Sequence, residues 1–186
     1  MNRIILILLS EIDTHLIRSL QSSLESTFNS IVKVRNKVGS LEHAYDSARK
    51  QYISPRLLSR LNRMKRSSGD KILGIVNVDL YSPEYEFVYG EADVNSGVAT
   101  LSTHRLISKN PNNHSDIRLF EERIIREAIH EVGHLYGLDH CRNPQCVMRT
   151  CTCLAEVDEA GNALCDECGN KLKTKSGTMA LLASNQ

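Results

Sequence analysis

The 186-residue sequence predicts an α/β (α+β) fold, a mixed sheet covered by helices. Two observations carry that expectation. The runs Ile4 to Leu9 and Lys71 to Leu80 are almost wholly apolar, as strands covered on both faces should be. Between and after them lie segments whose apolar residues recur at helical spacing.

In chain order, Ile4 to Leu9 reads as a buried first strand. A helix is expected from Asp13 to Phe28, with Leu16, Ile17, Leu20, Leu24 and Phe28 as its apolar stripe. IVKV at 31–34 alternates like a short strand, and Gly39 marks a turn. Leu41 to Tyr52 is ambiguous, with Tyr45 and Tyr52 read as packing residues. Ser54 as N-cap and Pro55 at the first helical position open a helix to about Arg66, buried through Leu57, Leu58, Leu61 and Met64. After the loop Ser67 to Asp70 comes the strand Lys71 to Leu80, KILGIVNVDL, stopped by Pro83; Asp79 near its end reads as a structural carboxylate. Phe87 to Tyr89 suits a short strand or a loop, Gly90 to Gly97 is polar, and VATLST at 98–103 is a further strand. Lys109 to His114 is a polar loop, after which Ser115 is expected to cap a long helix carrying Ile117, Phe120, Ile124 and Ala128. No internal repeat is visible.

Composition narrows the classes of function. The hydrophobic fraction of 41% and charged fraction of 24% are ordinary for a globular protein. A net charge of +1 gives no field to hold a polyanion, so no nucleic-acid partner is expected. Arg56, Arg60, Arg63, Lys65 and Arg66 cluster, but at helical spacing they read as one solvated face. Asn2 and Arg3 precede the first apolar run, which resembles a secretion signal only superficially. It passes directly into Glu11 and Asp13 without a small-residue cleavage site, and is too short for a signal core or a membrane span. A cytoplasmic protein without membrane partners is expected.

The chemistry gathers in EAIHEVGHLYGLDHCRNPQCVM, from Glu127 to Met148. His130, Glu131, His134, Gly137 and His140 form H-E-x-x-H-x-x-G-x-x-H. On a helix, His130 and His134 lie one turn apart and present imidazoles to one ion. Glu131 points roughly a quarter-turn aside, toward a water on that ion. Gly137 ends the helix in the left-handed conformation, letting the chain return to bring in His140. Three imidazoles leave zinc an open fourth position, the mark of a catalytic site. His104 and His114 are isolated and are not expected to be ligands.

All six cysteines follow residue 140. Cys151 and Cys153 are too close to bond comfortably to one another, and a disulfide framework is more often spread through a fold. Paired cysteines across a tight reversal at Gly161 and Asn162 suit a closed, four-thiolate structural zinc site. Spacing alone leaves open which four take part, since Cys151, Cys153, Cys165 and Cys168 also form a plausible set.

With these residues the chain resembles the archaemetzincin branch of the metzincin metallopeptidases, whose pattern is H-E-x-x-H-x-x-G-x-x-H-C, then C-x-M, then C-x-x-C. His130, Glu131, His134, Gly137, His140, Cys141, Cys146, Met148, Cys165 and Cys168 match it. GEADVNSGVATLSTHRL at 90–106 looks like the family's upper edge strand. The resemblance implies a mixed, twisted N-terminal sheet with long helices, 1–137, and a small zinc-stapled C-terminal subdomain, 138–186. It implies two zinc ions per chain. His130, His134 and His140 hold the catalytic one; Cys141, Cys146, Cys165 and Cys168 hold the structural one. Met148 becomes a hydrophobic floor under the metal, and Cys151 and Cys153 fall outside the pattern.

The expected activity is peptide hydrolysis by a zinc-bound water with Glu131 as general base. Arg105 and Tyr136 are considered as electrophilic helpers. A peptide or protein substrate is expected to lie extended and antiparallel to an edge strand near Val98 to Thr103. A non-catalytic zinc protein acting as an interaction module, and a zinc hydrolase of a non-peptide amide or ester, are the alternatives. The sequence specifies neither an oligomeric state nor the conformation of the tail from Thr174 to Gln186.

Overall fold

The computed structural model describes residues 3–107 and 114–183. In chain order the elements are β1 (Arg3–Leu8), α1 (Thr14–Phe28), β2 (Ile31–Asn36), β3 (Tyr45–Asp46), β4 (Gln51–Ile53), α2 (Ser54–Arg63), β5 (Asp70–Val76), β6 (Leu80–Tyr81), β7 (Gly90–Asp93), β8 (Val98–Ser102), α3 (His114–Leu135), α4 (Leu154–Glu159) and α5 (Asp166–Ala183). Five strands form the main sheet in the order β2-β1-β5-β8-β7, parallel except for β7 against β8. A small second sheet has the order β3-β4-β6.

β1 explains the layering. Every second side chain of a strand points to the same face. Ile4, Leu6 and Leu8 accordingly enter one core with Leu16, Leu20 and Leu24 of α1 and Ile124, Ala128 and Val132 of α3. Ile5, Ile7 and Leu9 enter a second core with Leu57, Leu58 and Leu61 of α2. Each fully buried leucine or isoleucine contributes about 1.5–3 kcal/mol relative to exposure, so both faces must be covered. At Gly74 of β5 a Cβ would lie 2.5 Å from Leu61 Cδ1, so the glycine lets α2 settle against the sheet. α1 starts where Asp13 Oδ1 accepts from the backbone N–H groups of His15 and Leu16, and ends at Asn29 in the left-handed region, φ 46°.

The structure corrects several local expectations. The apolar run 71–80 is not one strand. β5 ends at Val76, where Thr103 N donates to the Val76 carbonyl and its partner β8 has just ended; Leu80–Tyr81 then joins the second sheet against β4. Ser54 does not cap α2: its buried hydroxyl bonds the Thr100 hydroxyl at 2.9 Å, because β4 runs straight into a helix start packed on β8. The ambiguous stretch 41–52 becomes a 3₁₀ turn and the hairpin β3–β4, with Tyr45 against Tyr52. Ser115 lies inside the first turn of α3, and most of the polar loop expected before it falls outside the described residues. α5 is helical to Ala183, which resolves most of the tail.

The correction that matters for function concerns the edge. β8, Val98–Ser102, is buried throughout and bonded on both sides, by β5 and by β7. The edge on this side of the sheet is β7, Gly90–Asp93, which lies within the 90–106 stretch that the family resemblance marked as an edge strand and which residue patterning alone left as polar. Asp93 organises the turn back to β8: its side chain accepts from Asn95 and Ser96 N–H groups, and Gly97 closes it at φ 69°.

The segment after α3 is fastened to that helix. Arg123 forms a bidentate pair with Asp158 at 2.6 and 2.7 Å, and Arg126 bonds Asn162. Arg123 is only 5% exposed, so breaking its pair costs about 3 kcal/mol or more. The Lys171–Glu167 pair lies in solvent and holds far less.

Candidate metal centre and active-site cleft

α3 presents His130, Glu131 and His134 because residues three and four apart share a helical face. The helix then stops. Leu138 N donates to the Gly133 carbonyl at 3.0 Å and Gly137 N to the His134 carbonyl at 2.8 Å, the paired bonds of a Schellman end with Gly137 at φ 80°. Lys175 of α5 bonds the Gly137 carbonyl from outside. The returning chain delivers His140, whose ring centroid lies 5.3 Å from that of His130 and 4.9 Å from that of His134. One ring nitrogen from each histidine falls within 4.8 Å of the others.

The donor chemistry fits a metal ion. His130 Nδ1 lies 2.9 Å from the Val147 carbonyl and His134 Nδ1 lies 2.8 Å from the Leu138 carbonyl. A carbonyl only accepts, so both Nδ1 atoms carry the proton and both Nε2 atoms present lone pairs. Those two Nε2 atoms face one another at 3.0 Å. Two acceptors at that distance repel unless a cation lies between them. Burial, and then neighbouring His134, push His130 down to about 4, so it offers a neutral imidazole at neutral pH.

Glu131 is 4% exposed and its Oε2 has no hydrogen-bond partner. Burial first, then the Glu127 and Glu91 carboxylates, push its carboxyl well above the usual range. It lines a cleft of about 470 Å³ together with His130, His134 and His140. β7 forms one wall and the segment Arg149 to Thr152 contributes another. Met148 is fully buried against Gly133, where a Cβ would meet its Sδ at 2.5 Å.

The four thiols of Cys141, Cys146, Cys165 and Cys168 also lie within 4.8 Å of one another. Cys141 Sγ is 3.8 Å from Cys165 Sγ, and Cys165 N donates to Cys146 Sγ at 3.4 Å. The Cys168 backbone N–H pulls the Cys165 thiol down to about 7, whereas burial pushes the Cys146 and Cys168 thiols up. Four sulfurs with an N–H-assisted thiolate at the start of α5 suit a tetrahedral soft cation. Cys151 and Cys153 stand apart. Cys151 lines the cleft, with burial and then Glu127 raising its thiol to about 11, and Cys153 is exposed.

The two possible electrophilic helpers are engaged elsewhere. Tyr136 stacks on Phe28 and its hydroxyl bonds Ser30 at 2.7 Å inside the core. Arg105 holds Asp79 through two bonds of 2.5 and 2.7 Å and lies over Phe87. Burial pushes the Asp79 carboxyl up, but this guanidinium outweighs it and holds the carboxyl below its ordinary range. Asp79 is thus structural, and exposed His104 belongs to neither ligand cluster.

Among the residues that escaped the sequence reading are Gly90, Glu91 and Glu127 of the cleft, and Gly133, against which Met148 packs. Gly133 carried a signal, because a glycine inside a helix costs about 1 kcal/mol and needs a packing reason. Glu127 carried one too, four residues before Glu131 on the same face. Gly90 matters through its missing side chain, since a Cβ there would lie 2.6 Å from Glu131 Oε1. Gly90→Ala should therefore shift the carboxylate and lower kcat about tenfold or more while leaving metal content intact. Steady-state kinetics with a metal assay checks this, and an unchanged kcat would show that Glu131 has room to spare.

A helix-borne pair of histidines, a third from a returning loop and a buried glutamate beside them define a zinc metallopeptidase. The chain belongs to peptidase family M54, whose sequence pattern it matches over residues 8–174. It is 33% identical over 180 residues to the archaemetzincin of Pyrococcus furiosus, covering 94% of both chains. The crystal structure of a zinc-dependent peptidase from Methanocorpusculum labreanum superposes with a TM-score of 0.82 at 30% identity, over 91% of this chain and 99% of that one. The archaemetzincin of Methanopyrus kandleri gives 0.81 at 30% identity, over 95% and 96%.

Proposed function

We propose that the chain hydrolyses peptide bonds with Glu131 as general base, at a catalytic zinc held by His130, His134 and His140. One observation carries this reading: two protonated Nδ1 atoms force two Nε2 lone pairs to face each other at 3.0 Å beside the unpartnered Glu131 Oε2. When bound, zinc supplies Lewis acidity, polarising the scissile carbonyl and acidifying water. Glu131 takes the proton of the attacking water and passes it to the departing amine. Gly90 keeps the space that this carboxylate needs, and the Val147 and Leu138 carbonyls hold the two imidazoles in the ligating tautomer.

A second, structural zinc belongs with Cys141, Cys146, Cys165 and Cys168, giving two ions per chain. The four sulfurs leave no position for water. The staple helps hold a small C-terminal subdomain, 138–186, on the larger unit, 1–137. A peptide or protein substrate lies extended along β7, whose outer side has no strand partner among the described residues. No nucleic-acid partner is proposed, given the net charge of +1. Nor is a membrane partner: among the described residues no helix is long and apolar enough to cross a membrane. The cytoplasm is the proposed compartment.

The test is mass spectrometry of a diverse peptide pool incubated with the zinc-loaded protein, with and without a zinc chelator. New termini that vanish with chelator and return with added zinc are expected. An intact pool, with zinc present, would overturn the peptidase reading and favour a non-peptide amide or ester.

A further inference from the structure

We propose that Glu127 is a specificity-determining residue that selects a lysine or arginine side chain flanking the scissile bond. This rests on the peptidase reading and adds to it a substrate class. Glu127 stands four residues before Glu131 on the same face of α3, about 6 Å along the axis. An extended substrate advances about 3.3 Å per residue, so a long side chain next to the reacting carbonyl spans that separation.

The charge balance of the cleft points to a cation. Its lining carries four carboxylates, Glu86, Glu91, Glu127 and Glu131, against the Arg149 guanidinium and the dication that the proposed reading places on the three histidines. Arg149 is directed to Glu159 at 3.7 Å. Glu91 gives one oxygen to Ser82 and keeps the other buried without a partner, as does Glu131, which is committed to the reacting water. Among the described residues neither a hydrogen bond nor an ion pair reaches the Glu127 carboxylate; beside it lie Tyr89, Cys151 and Glu131. Burial pushes the Glu127 carboxyl up to about 7, and a cationic side chain arriving with the substrate favours its charged form.

The walls complete the subsite. Phe87 and Val88 line the same cleft, as does the half-buried Ala92. Apolar walls cover the methylene stem of lysine or arginine while a carboxylate at the end meets its head. Aspartate or glutamate in that position would be repelled by the Glu127 carboxylate.

The experiment uses paired peptides differing only in lysine or norleucine beside the scissile bond, norleucine keeping the stem and losing the charge. For the zinc-loaded parent, kcat/KM should favour lysine, and Glu127→Gln should reduce that lysine-to-norleucine ratio roughly 10- to 100-fold. Glu127→Arg should turn the preference toward glutamate. Calorimetric binding of the same peptides to the Glu131→Gln form, with and without Glu127→Gln, reads the selection apart from turnover. Cleavage with no Glu127-dependent ratio would overturn the selection and leave the peptidase standing. Glu127-dependent lysine binding without cleavage would do the reverse, and neither binding nor cleavage would overturn both.

Discussion

Glu131→Gln is expected to leave zinc bound and to lower peptide hydrolysis by roughly a hundredfold to ten-thousandfold. Glutamine keeps the shape of the side chain, so Gly90 and the helix around it need not move. The amide loses the ability to take up and return a proton, which is the only function removed. It also relieves the repulsion among Glu131, Glu127 and Glu91, so the variant should be no less stable than the parent. The decisive measurement is turnover at matched zinc content, and undiminished hydrolysis would remove Glu131 from the base role. Gly90→Ala provides the contrast, because it displaces the same carboxylate without changing its chemistry.

Cys165→Ala is expected to lose the structural zinc and to lower the thermal midpoint by on the order of 10 °C, at roughly 2–4 °C per kcal/mol for a chain of this size. Zinc contributes on the order of 10 kcal/mol to the folding of small zinc modules, so a partial loss suffices for that shift. Activity should fall as well. Cys141 directly follows His140, and Cys146 precedes Val147, whose carbonyl holds the His130 ring. Cys153→Ser, at an exposed position outside the cluster, is the control. Native mass spectrometry and thermal unfolding read both variants; an unchanged metal count and midpoint in Cys165→Ala would exclude Cys165 from the set.

Local pattern was enough to read β1, α1 and the buried side of α2: a continuous apolar run for the strand, and apolar residues repeating at 3.6 for the helices. Pairing was harder. Nothing within VATLST states that a second strand will cover it, so an interior strand passed for an edge. Nothing within KILGIVNVDL marks Val76 as the point where its neighbour ends. Ser54 has a good cap sequence, overruled by a threonine that meets it only in the folded chain. In the site the same division holds. The histidines, Glu131 and the four clustered cysteines sit at spacings that their geometry demands, and the fold brings them together. The choice among six cysteines needed either kinship or coordinates. Gly90 approaches Glu131 from another element, and its contribution is an absence, which no local pattern records.

The short edge strand has a consequence for the protein's own copies. An unpaired strand edge is a template on which a second chain can add, and sheet proteins must guard against that. On the proposed reading β7 stays uncovered to receive substrate. It is instead only four residues long and carries Glu91 and Asp93. Two such edges brought together would oppose like charges over too little length to hold. Shortness and like charge at this edge therefore disfavour the pairing of two copies of the chain along it.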